Sequence, residues 1–189
     1  MGYVEAALEL HEQIRAGQCP KPDFIFVAAG TCGTAAGLAL GLLLAGLDTK
    51  VIAVQVVESI ITNTLILNSL ARLTIRRLRR HGLALRDQAP PNLTLKKGHL
   101  GKGYGHPTEE GMAALAQMND AEQILLEPTY TSKTLAGLKD FVKSHGLEKR
   151  THMFWNTVST VDFSERLKTL KASDLPRGFH QDFKALQRF

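Results

Sequence analysis

With 189 residues, 44% of them hydrophobic, the chain fits one soluble globular domain with a real core. A formal charge of +5 permits an acidic or nucleic-acid partner but does not argue for one. Only two cysteines, Cys19 and Cys32, are present, which excludes a disulfide scaffold and fits reduced thiols in the cytoplasm.

The opening stretch, MGYVEAALELHEQIRAG, carries acidic residues inside its apolar pattern and does not read as a signal peptide. Tyr3, Val4, Ala7, Leu8, Leu10 and Ile14 recur at helical spacing, and Gly17 ends that helix. Phe24 to Ala29 predicts a buried strand, followed by the turn Gly30-Thr31-Cys32-Gly33-Thr34 and a helix to about Gly46. The most apolar window, Ala35 to Leu47, is too short to span a bilayer and contains three glycines, so no membrane span is expected. Lys50 to Val56 predicts a second strand, and Glu58 to His81 a long helix that stops at Gly82. A loop at Ala89 to Asn92 and a glycine-rich loop at Gly98 to Pro107 follow, then a helix opened by Thr108-Glu109-Glu110. Ile124 to Leu126 predicts a short third strand closed by Pro128, Leu135 to Lys143 a helix capped by Gly146, and His152 to Trp155 a fourth strand. Residues 1–160 are thus expected to form an α/β domain, an open parallel sheet with helices on both faces. Residues 161–189 are expected to form a polar, largely helical tail broken at Pro176.

In such sheets a ligand sits at the carboxyl ends of the strands. Three chemically unusual segments converge there: Gly30 to Thr34, Pro128 to Thr131, and Asn156-Thr157. A strand that breaks at glycine and restarts as a helix aims several backbone N–H groups, backed by the helix dipole, at one point. That arrangement suits a phosphate. At the helix N-terminus the dipole favours the thiolate of Cys32, which would lower its thiol pKa, and no nucleophilic role is assigned to it. The competing reading is a tight strand-to-helix turn without a ligand.

Four segments, Gly2 to Leu10, Gly30 to Leu38, Gly101 to Glu110 and Glu127 to Leu138, carry a family pattern in order: GYVEAALEL, GTCGTAAGL, GKGYGHPTEE and EPTYTSKTLAGL. The chain resembles the pyridoxal-phosphate enzymes of the tryptophan-synthase β-like group, fold type II. Within it the similarity is greatest to the branch of D-cysteine desulfhydrase and 1-aminocyclopropane-1-carboxylate (ACC) deaminase. The resemblance implies the C-terminal part of the large domain of that fold. Family members also carry an N-terminal portion with the lysine that bonds the cofactor, and no lysine here stands in that context. The resemblance therefore implies a protein that is weak or inactive as a lyase by itself and that associates with the missing half or forms a homodimer.

It further implies that Gly30, Thr31, Cys32, Gly33 and Thr34 hold the phosphate of pyridoxal 5'-phosphate, with Thr131 beside the pyridine nitrogen. Threonine there, where a carboxylate would keep the ring protonated, tilts the expectation to β-elimination of a thiol from a small amino acid, giving a keto acid and ammonia. Tyr104 and Tyr130 match tyrosines facing the substrate and are expected as catalytic acid or base groups; packed aromatics are the alternative. Asn156-Thr157-Val158-Ser159 stands where the family often carries His-Thr-Gly-Gly, so Thr157 is the one cofactor-side residue expected from that turn.

Two other classes compete. One is a non-catalytic phosphate- or cofactor-binding module. The other is a Rossmann-like nucleotide binder with Glu58 on a ribose, for which the glycine spacing is wrong. The arginines from Arg72 to Arg80 have no interleaved aromatics and read as a solvated helix end, not a nucleic-acid surface. The histidines lack metal-ligand spacing, and no metal is expected.

Overall fold

The computed structural model describes residues 1–169, 171–174 and 176–180. They fall into two units, Met1–Val158 and the segment from Ser159 onward. In the first, α1 (Gly2–Arg15), β1 (Phe24–Ala29), α2 (Gly33–Leu44), β2 (Lys50–Gln55) and α3 (Thr64–Arg80) alternate, followed by β3 (Leu93–Lys96). Then come α4 (Glu109–Glu122), α5 (Thr131–His145) and β4 (His152–Phe154). The second unit holds the short helix α6 (Ser164–Leu167) and 3-10 turns at Ala172–Asp174 and Arg177–Phe179. The rest of the tail expected to be helical, residues 170, 175 and 181–189, lies outside the described residues.

The strands form one parallel sheet in the order β3-β2-β1-β4. Alternation along β1 sorts its side chains to two faces. Ile25, Val27 and Ala29 pack with Ala7 and Leu10 of α1, Leu38 and Leu42 of α2 and Leu67 of α3. Phe24 and Phe26 join Ile52 and Val54 against Leu138, Phe141 and Val142 of α5. Helices therefore cover both faces, as the hydrophobic runs predict.

Three elements differ from expectation. Ile124 to Leu126 is not a strand. It links α4 to α5, with Leu126 buried against Ala114 and Leu135 while Ile124 and Leu125 face outward. The third strand in chain order is instead Leu93–Lys96, whose Leu93 and Leu95 pack against the β1 core face. The buried Asn92 side chain anchors its entry by donating to Ala39 O and Thr49 O, both at 3.2 Å. Finally, α3 begins at Thr64 and not at Glu58, because side chains compete with helix formation in between. Gln55 Nε2 donates to Val57 O, Ser59 Oγ and Thr62 O, and Asn63 caps α3 by accepting from Ile66 N at 3.0 Å.

α1 crosses α2 at backbone contact because Gly37 and Gly41 lie between them. A Cβ on Gly41 would stand 2.5 Å from Val4 O, and one on Gly37 2.7 Å from Tyr3 Cβ. Elsewhere in a helix, glycine to alanine gains about 0.5–1 kcal/mol. Here the sign reverses: Gly41→Ala should destabilise by about 1–3 kcal/mol, as overpacking does. A denaturant midpoint equal to or above wild type would contradict this close approach.

Candidate active site

The β1–β2 ladder ends at the pair Ala29–Gln55, and both chains turn out of the sheet at the same edge. Gly30 to Thr34 leave β1 there, while Val57 and Glu58 leave β2. Together with Tyr3, Ile61, Tyr104, Tyr130 and Thr157 they line an open cavity of about 450 Å³, within the size range of small-molecule sites. Gly30, Thr31, Cys32, Gly33, Thr34, Tyr104, Tyr130 and Thr157 are thus brought together. Thr131 is not.

The N-terminus of α2 is built to leave its N–H groups free. α3 and α4 are capped by the Asn63 and Thr108 side chains, and α5 by the carboxylate of Glu127. The α2 cap, Cys32, offers no side-chain bond, and the first turn holds no acidic residue. The exposed partial charge there is equivalent to roughly +0.5 of an elementary charge. Space is also available, since a Cβ on Gly33 would meet nothing within 4 Å. These features fit the phosphate of pyridoxal 5'-phosphate.

Cys32 takes φ 67°, a left-handed conformation that glycine adopts without cost and cysteine does not. Its side chain turns into the core, 2% exposed. Burial pushes the thiol pKa up, against a weaker lowering from the Thr62 hydroxyl. The lowered thiol pKa that a helix N-terminus favours is not found, because the side chain is buried in the core.

Glu127 organises the third turn. Its Oε1 accepts from Tyr130 N and Thr131 N at 2.6 Å, and Oε2 from Thr129 N at 2.7 Å. Thr131 is 1% exposed, and its Oγ1 accepts from Glu127 N at 2.9 Å while donating toward Glu127 Oε1 at 3.2 Å. Its hydroxyl is spent inside the turn that carries Tyr130, which is why it does not line the cavity. Tyr130 Oη lies 2.6 Å from Tyr104 Oη, with the rings edge to face. That hydrogen bond, with burial and nearby negative charge, pushes the Tyr130 phenol up to about 12.

Sequence reasoning missed Tyr3, assigned only to a helix face, and the place of Glu58. Glu58 Oε1 accepts from Tyr104 N at 2.8 Å, which lowers the pKa of the carboxyl. It also missed Lys133, wholly buried although it stands in the family segment EPTYTSKTLAGL. The available signal was a lysine in the first turn of a helix that closes on the core.

Residues 1–157 match the model of a family described as pyridoxal-phosphate dependent enzymes. The chain belongs to that family. It is 36% identical over 140 residues to a D-cysteine desulfhydrase of Klebsiella pneumoniae (strain 342), covering 74% of this chain and 40% of the relative. It is 35% identical over 143 residues to a D-cysteine desulfhydrase of Serratia proteamaculans (strain 568), covering 75% and 41%. A crystal structure of an ACC deaminase homologue superposes with a TM-score of 0.64 at 25% identity, over 89% of this chain and 50% of that one. A threonine deaminase isoform 2 from Solanum lycopersicum, at 15% identity and TM-score 0.51, shares the fold. The chain spans about two fifths of the length of the D-cysteine desulfhydrases it matches.

A buried, non-activated Cys32 has a direct consequence. At neutral pH an alkylating reagent should modify the half-buried Cys19 first and leave Cys32 unmodified until the protein unfolds. Peptide mass spectrometry after timed labelling checks this; equal labelling of both thiols in the folded protein would contradict it.

Proposed function

We propose that this chain supplies the phosphate grip and tyrosine pair of a pyridoxal-phosphate lyase or deaminase acting on a small amino acid. The favoured reaction is the D-cysteine desulfhydrase kind, β-elimination ending in keto acid and ammonia. One observation carries the reading: the uncapped α2 N-terminus and the Tyr104–Tyr130 pair open into the same cavity. The family and its desulfhydrase relatives support the cofactor and the substrate class.

In this reading the backbone N–H groups of Gly33 and Thr34 and the hydroxyls of Thr31 and Thr34 hold the phosphate, and Thr157 closes the cavity from β4. When bound, pyridoxal phosphate withdraws electrons from the α-carbon of an attached amino acid and so acidifies its C–H bond. Tyr130, with its phenol raised to about 12, keeps its proton at neutral pH and serves as donor, not base. Thr131 acts indirectly, through the Glu127 turn that aims Tyr130.

No lysine lines the cavity among the described residues. That supports non-covalent cofactor binding and weak or no lyase activity for this chain by itself. Ile60 and Leu65, 84% and 80% exposed on the segment that follows Glu58, support association with a second polypeptide, either further family sequence or a second copy.

Absorbance titration with pyridoxal phosphate tests the reading. Binding should leave the free-aldehyde spectrum, be competed by inorganic phosphate and give no lysine adduct on borohydride reduction. Gly33→Asp, which places a carboxylate in open space at the α2 N-terminus, should weaken binding at least about tenfold by like-charge repulsion. Absence of binding by wild type would overturn the cofactor site. Robust sulfide release from D-cysteine would overturn the claim of weak activity.

A further inference from the structure

We infer that Lys133 is a positioning residue for the tyrosine pair: its buried ammonium and the Glu58 carboxylate clamp the loop Leu100–Tyr104, so that Tyr104 Oη meets Tyr130 Oη. The inference rests on the reading of that pair as part of an active site.

Lysine is almost never fully buried unless its charge is used. Lys133 has no exposed surface, and no carboxylate lies within ion-pair distance of it among the described residues. Its Nζ donates instead to Leu100 O at 2.8 Å and Gly103 O at 3.3 Å. Burial lowers its pKa, and the more distant charges of Glu127 and Glu58 act the other way. The ammonium is thus directed at the backbone of one loop.

That loop has few restraints of its own. Gly101, Gly103 and Gly105 all have positive φ, at +70°, +143° and +77°, and glycine has the most conformational freedom to lose. Two restraints bracket Tyr104. Lys133 fixes the carbonyl of Gly103 immediately before it, and Glu58 Oε1 takes the N–H of Tyr104 itself at 2.8 Å. The first turn of α5 links this clamp to the other phenol, since Tyr130 caps the helix and Lys133 lies three residues on. Glu58 arrives from the end of β2. The two phenols are therefore brought to 2.6 Å by a loop whose register is set from two fixed elements of the fold.

The titratable groups around the pair are Glu58, Glu127, Lys133 and His106, whose backbone N–H also reaches Gly103 O at 3.3 Å. The test follows the phenols by ultraviolet absorbance in stopped-flow alkaline jumps, in the wild type, Tyr104→Phe, Lys133→Met and Glu58→Ala. Wild type should show one phenol ionising at about 12, and Tyr104→Phe should return it toward the ordinary 10.0. Lys133→Met and Glu58→Ala should each shift it the same way with the circular dichroism spectrum kept, and Lys133→Met should add nothing in the Tyr104→Phe background. A lysine that merely stabilises the fold would lower the melting temperature and leave the phenol at about 12; that result in Lys133→Met overturns the inference. Should Lys133→Met fail to fold, Lys133→Gln, a shorter uncharged side chain, replaces it in the same measurement, and a phenol still at about 12 in the folded variant overturns the inference. None of these readouts needs the cofactor, so failure to bind pyridoxal phosphate would overturn the functional reading without touching the clamp.

Discussion

The parallel ladder between β1 and β2 stops at Ala29 and Gln55, and the site is organised by the two chain exits that this stop places side by side. Hydrogen bonds tie the exits together. Thr62 Oγ1 donates to Gly30 O, and Gln55, buried in the sheet end, gathers Val57, Ser59 and Thr62 around its amide. The open α2 N-terminus and the Glu58 carboxylate are thereby held on neighbouring strands. Register cannot drift, because a one-residue slip would exchange the face carrying Phe26 and Val54 with the face carrying Val27 and Ala53. The hydrophobic pattern of two strands thus fixes where the cavity opens.

Much of this was legible because it follows from period and punctuation. β1, β2 and the glycine turn announce themselves through long apolar runs broken at Gly30. Leu93–Lys96 was illegible: its four residues at a sheet edge are at most partly buried, and the strand is recognised by its partner β2, not by its own composition. Ile124 to Leu126 misled for the opposite reason. Three apolar residues between helices look like a strand, yet only Leu126 finds a core to enter. At the site, the family pattern gathered eight of nine expected residues around one cavity. Thr131 stands outside that lining with its hydroxyl engaged in the Glu127 turn, a direction that a motif position does not give. The decisive neighbour, Glu127, accepts three backbone N–H groups and takes up that hydroxyl locally.

Cys32 shows what the turn costs. Left-handed backbone costs a non-glycine residue about 1–2 kcal/mol, and its side chain recovers part of this by packing with Ala29, Ala35 and Leu67 in the core cluster. The sharp reversal lets β1 end and α2 begin within a few residues. The same trade removes the thiol from chemistry, since burial disfavours the thiolate more than the Thr62 hydrogen bond favours it.

The distribution of charge separates holding from reacting. Glu58 is the one ionisable carboxylate among the lining residues, and it is bound to the Tyr104 backbone; the neighbouring ammonium of Lys133 is bound to carbonyls. Neither is free to attack a carbonyl compound in the cavity. What the lining offers a ligand is a set of fixed donors, the backbone N–H groups of α2 and the phenols, whose worth lies in being held in place before anything binds. Such a surface is well suited to orient an anionic cofactor and poorly suited to form a bond with it. On the proposed reading, the amine for a covalent step in this cavity comes from beyond the described lining residues.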